Sequence, residues 1–72
     1  MNDSYERLAN SIVLQAVKDY RNALKKMKKH LNNERALYTK NEVERFFRSD
    51  WYASLTTVDP EMLIKRLNEE VI

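Results

Sequence analysis

One imidazole, no thiol and no glycine limit what chemistry these 72 residues can perform. Acid–base, nucleophilic, metal-assisted and phosphoryl-transfer catalysis each need a recognisable set of groups. These are a nucleophile beside its base, several converging metal ligands, or a glycine-rich loop. Without glycine the loop cannot be built, and without cysteine neither a disulfide nor a thiolate zinc site can form. His30 closes the run Lys28-Lys29-His30, where a solvated helix end that favours cations explains it without a ligand role. The acid pairs Glu42/Glu44 and Glu69/Glu70 fall on different faces of a helix, so neither converges on a shared proton or metal. Glu44 with Arg48 and Glu61 with Lys65 instead have the i, i+4 order that supports helices. The expectation is a non-enzymatic chain without cofactor or metal.

Two surfaces remain. Lys18, Arg21, Lys25, Lys28 and Lys29 share one arc of a helical projection, within a segment that opposes its cations with Asp19 alone. Residues 49–72 are acidic in turn, with five acids against Lys65 and Arg66, so the chain is dipolar although its formal net charge is only +2. The basic arc is either a solvated face or a phosphate-binding face with salt-dependent, sequence-independent affinity. Base readout is disfavoured, because a recognition helix after Asp59 would carry Glu61, Glu69 and Glu70 towards phosphate. The second surface is aromatic: Phe46, Phe47, Trp51 and Tyr52 are four of the seven aromatic residues, flanked by Arg45 and Arg48. Phe46 or Phe47 with Trp51 at helical spacing reads as core, and Tyr52 then points elsewhere. One of Trp51 and Tyr52 is the candidate exposed anchor of a partner site.

Helices must position both surfaces. Asp3 or Ser4 can cap a first helix, with Asp3-x-x-Glu6 resembling a capping box. From Tyr5 to Leu31 apolar residues recur every three or four positions. Leu14 departs from this stripe and falls on the basic side. Asn32-Asn33 interrupts the period and suits a helix end, since Asn tolerates the left-handed conformation of a C-cap. Thr39-Lys40-Asn41-Glu42 is a capping box for a second helix. That helix either continues to Leu55 or splits at Ser49, which can cap a short separate helix. Asp59-Pro60-Glu61 opens the last, with Asp as N-cap and Pro at the first helical position. The expected fold is an all-α single domain of three principal helices, about 4–31, 40–55 and 60–71, the middle one continuous or split near Ser49.

A domain this short buries only about 60% of its unfolded surface, so stability rests on regular helix packing or on self-association. A first helix of some 27 residues, about 40 Å, exceeds what its own domain can cover, which points to a homodimer through Ile12, Val13, Val17, Tyr20 and Leu24. No apolar run approaches the roughly 20 residues needed to span a bilayer. The N-terminal Met-Asn-Asp-Ser lacks the layout of a signal peptide, so the expected location is cytoplasmic.

Three strings carry a resemblance. They are Ser11-Ile-Val-Leu-Gln-Ala-Val-Lys-Asp-Tyr-Arg21, Glu44-Arg-Phe-Phe-Arg-Ser-Asp-Trp51, and Leu55-Thr56 with Asp59-x-Glu61-x-Leu63-Ile64-x-x-Leu67. Together they span nearly the whole chain, which resembles very small proteins encoded by phages, prophages and integrative elements of Firmicutes-type bacteria. In that group a glycine often stands where this chain has Pro60, and the linker around residues 32–38 varies. The resemblance implies a mobile-element origin and carries over no functional residue. The expected role is a helical protein-interaction module, an inhibitor or modulator of host machinery acting on a host or phage protein. The alternative is a small accessory nucleic-acid-binding protein using the basic arc.

Overall fold

The computed structural model describes residues 3–71, with Asp3 through its backbone alone. They form four helices: α1 (Asp3–Lys29), α2 (Glu34–Phe47), α3 (Asp50–Leu55) and α4 (Pro60–Val71). The all-α class holds. α1 is the spine, and every other helix packs against it. α2 returns antiparallel from its C-terminal end, and α4 runs parallel to it, so that Arg21 meets Glu70 and Lys28 meets Val71. The molecule is a rod of 46 × 19 × 19 Å.

Several boundaries differ from the sequence expectation. α1 begins at Asp3, so Ser4 lies inside the helix, and the side-chain capping expected of Asp3 falls outside the described residues. It ends at Lys29, leaving Leu31 86% exposed in the turn. No described residue takes a positive φ, so Asn33 is not a left-handed C-cap. It is the N-cap of α2: its backbone is extended (φ −76°, ψ 96°) and its Oδ1 accepts the Ala36 amide at 3.0 Å. α2 therefore starts five residues before the Thr39-x-x-Glu42 box, which lies mid-helix. Asp59 and Pro60 act as expected, with Asp59 Oδ1 accepting the Glu61 amide at 3.0 Å.

The core gathers Val17, Tyr20 and Leu24 of α1, Phe47 of α2, Tyr52 of α3, and Ile64 and Leu67 of α4. Burying each contributes about 1.5–3 kcal/mol. Glycine would be a liability here, and Ala9, Ala23 and Ala36 make the buried small contacts at lower conformational cost. One polar cluster crosses the core. Tyr20 Oη donates to Glu44 Oε2 at 2.5 Å and accepts from Asn68 Nδ2 at 2.9 Å, tying α1 to α2 and α4. Lys40 Nζ completes the carboxylate shell at 2.8 Å. No buried side-chain polar atom among the described residues lacks a partner.

Candidate interaction site

The break between α2 and α3 decides which aromatic ring is displayed. Had the helix continued, Trp51 would lie 40° from Phe47 on the buried face and Tyr52 about 140° away, towards solvent. The chain instead leaves the helix at Arg48 and turns extended at Ser49 (φ −87°, ψ 161°). Ser49 Oγ donates to the Phe46 carbonyl at 2.6 Å and accepts the Tyr52 amide at 3.2 Å, closing one helix and capping the next. The middle helix is thus split at Ser49. Tyr52 enters the core at 1% exposure, where its hydroxyl donates to the Val58 carbonyl at 3.0 Å. Trp51 stands 58% exposed, which overturns its assignment to the core. The i, i+4 spacing behind that assignment has no meaning across a break.

Phe47 is fully buried, edge-on to Tyr20 and Tyr52 at 5.8 and 5.6 Å. Phe46 is half-buried and meets Trp51 edge-on at 5.4 Å. Together with Ser11, Ile12, Gln15, Ala16 and Asp19 of α1, Phe46 and Trp51 line an open, mostly apolar groove of about 510 Å³. Nearer the N-terminus of α1, outside the lining of this groove, Leu8 and Tyr5 are 60% and 53% exposed. Residues 4–8 are all exposed, because α2 and α4 lie against later turns. The positions Tyr5, Leu8, Ile12, Gln15 and Asp19 follow a 3-4-3-4 spacing, one step around the helix from the core stripe. That spacing was open to sequence reasoning, which placed Tyr5 and Ile12 on one stripe with the core residues and did not single out Leu8, Gln15 or Asp19.

The expected self-association stripe is mostly spent inside the fold. Val17, Tyr20 and Leu24 are core, and Val13 packs against it, so of the five Ile12 alone lines this groove. The basic arc also divides. Arg21 pairs with Glu70 at 2.8 Å, and Lys28 Nζ donates to the Val71 carbonyl at 2.8 Å, a cation at the negative end of α4. Glu70 is held below the ordinary carboxylate range, first by its bond to Arg21 and in part by nearby Lys25. Lys18 and Lys29 face solvent without a described partner.

Of the flanking arginines, Arg45 pairs with Glu42 at 3.2 Å, and Arg48 bridges Glu61 at 2.7 Å and Glu44 at 3.5 Å. Neither rims the groove freely. The expected Glu61–Lys65 pair gives way to this Arg48 bridge, which ties α2 to the start of α4. Burial raises the Glu44 carboxyl, but the bonds from Lys40 and Tyr20 outweigh it and hold the group low. Burial, with the Glu44 bond, pushes the Tyr20 hydroxyl up to about 12. These shifts arise from burial and structural bonds within the fold, not from an open cleft. Among the described residues no group of three His, Cys, Asp or Glu side chains could hold a metal, and no helix is long and apolar enough to cross a membrane. Comparison with protein-family models, with curated proteins and with solved structures finds no match.

Proposed function

We propose that this chain is a non-enzymatic helical interaction module that works by binding another protein through the groove between α1 and Trp51. The observation that carries this is Trp51 itself. A fold of only 72 residues, short of apolar area to bury, leaves its one Trp on the surface and against an apolar groove. Tryptophan, with tyrosine and arginine, is enriched at binding hot spots. The resemblance to mobile-element proteins supports an accessory role, such as occupying a component of host machinery in the cytoplasm. A photo-crosslinking residue in the groove, Gln15→p-benzoylphenylalanine, tests the reading in the producing cell. A Trp51-dependent covalent adduct to a protein is expected; no adduct, or one that persists in Trp51→Ala, refutes it.

A second reading is favoured by the outward set of Lys18, Lys25 and Lys29. It is a weak phosphate-binding face, with Arg21 and Lys28 withdrawn to α4. Three contacts give a slope of log affinity against log salt of about −2 to −3 on duplex DNA, smaller than all five cations would give. No mobility shift at micromolar protein and low salt eliminates it.

A further inference from the structure

Resting on the interaction-module reading, we infer that the occupant of the groove is a second copy of this chain, paired antiparallel through α1 about a two-fold axis near Ile12. The first argument is area. The chain exposes 5605 Å², whereas a compact monomer of its mass exposes about 4,700 Å², a surplus of about 900 Å². One partner's share of a standard protein interface is about 800 Å², so a single contact of ordinary size absorbs the surplus.

The second argument is self-complementarity. The exposed Tyr5 and Leu8 and the groove-lining Ile12 and Gln15 lie on one face of α1, Leu8 and Gln15 being two helical turns apart. A two-fold axis at Ile12 places Leu8 of each copy beside Ala16 of the other, and Tyr5 at the level of Asp19. Each overhang then fills its neighbour's groove, flanked by Trp51, and the same patch serves both chains. The 3-4 spacing of Tyr5, Leu8, Ile12, Gln15 and Asp19 is that of helices packed side by side.

The third argument is charge, which selects the direction. Parallel pairing would align two lysine-rich segments, Lys25, Lys26, Lys28 and Lys29 of each copy. Antiparallel pairing about Ile12 separates Lys26 from its counterpart by about 42 Å along the axis, several Debye lengths at physiological salt.

Sedimentation of the purified chain across about 5 to 500 µM is the test, since a self-association equilibrium must respond to concentration. The mass should rise from 8.7 kDa towards twice that value, with Trp51 emission moving to the blue over the same range. Leu8→Glu, at an exposed site, should remain monomeric with unchanged far-UV circular dichroism, while Lys29→Glu, off the seam, should associate like the wild type. A wild type that stays at 8.7 kDa throughout overturns the inference, as does a Leu8→Glu variant that dimerises equally well. If the chain is monomeric yet the Gln15 crosslinker captures a different protein, the second copy is wrong and the interaction module stands. A monomer that captures nothing removes both.

Discussion

Tyr20→Phe removes one oxygen from the centre of the bundle and leaves the ring in place, so it isolates the polar cluster from the packing around it. The ring is fully buried and keeps its edge contact with Phe47 at 5.8 Å. Two bonds are lost: the donation to Glu44 at 2.5 Å and the acceptance from Asn68 at 2.9 Å. Neither partner is orphaned, because Glu44 retains Lys40 at 2.8 Å and Asn68 still donates to the Ile64 carbonyl at 2.8 Å. The cost therefore stays near that of one bond to a charged group, about 1.5–2 kcal/mol, without a full desolvation penalty. In a domain of this size that lowers the melting temperature by about 6–16 °C. The variant also changes both pH limbs. Folded Glu44 titrates below its ordinary 4.5, so its stabilisation is present above that value and is lost as pH falls through the folded pKa; without Tyr20 this acid loss shrinks. Folded Tyr20 titrates at about 12 against 10.0, so the wild type loses stability as pH rises from 10 towards 12, and the variant lacks that loss. Urea unfolding at pH 3, 7 and 11 reads all three effects. A variant equal to the wild type at pH 7, with the same slopes on both limbs, would refute the bonding of this hydroxyl.

The two neighbouring aromatic segments should respond in opposite ways. Phe47→Ala, which empties the buried centre of three ring contacts, should cost about 3–5 kcal/mol and leave the chain largely unfolded by circular dichroism. Trp51→Ala should keep the monomer's fold with a loss of at most about 1 kcal/mol in dilute solution, since most of the side chain is already in water. Asn33→Ala removes the cap of α2 and should cost about 1 kcal/mol in thermal unfolding, whereas Thr39→Ala, mid-helix, should not show a cap's loss. A larger effect at Thr39 than at Asn33 would restore the later helix start.

The class and the helices with strong local signals were legible from the residues. Asp59-Pro60 marks the start of α4 without tertiary help, and the apolar period of α1 survives almost to its end. For α2 the capping box at Thr39 was the start signal read from the residues, and Asn33, read there as part of a helix end, is the actual cap, which makes α2 long enough to include the buried Ala36. The site was the least legible part. Its groove joins Ile12 to Trp51 across 39 positions, and Trp51 reaches it only because Ser49 breaks the helix. The basic arc was visible as a pattern, but its neutralisation by Glu70 and the end of α4 belongs to tertiary packing.

The hinge at Ser49 has a consequence for how such a protein can change over generations. With both large rings already present at adjacent positions, the side that faces a partner need not be altered by acquiring a new aromatic. Replacing one small hydroxyl so that α2 runs on would withdraw the indole and present the phenol instead, at constant hydrophobic content. Lineages under pressure to shift or escape a binding partner thus have a route of very few substitutions. Variation at position 49 among relatives, where it occurs, should therefore track a change of partner more closely than variation at either ring.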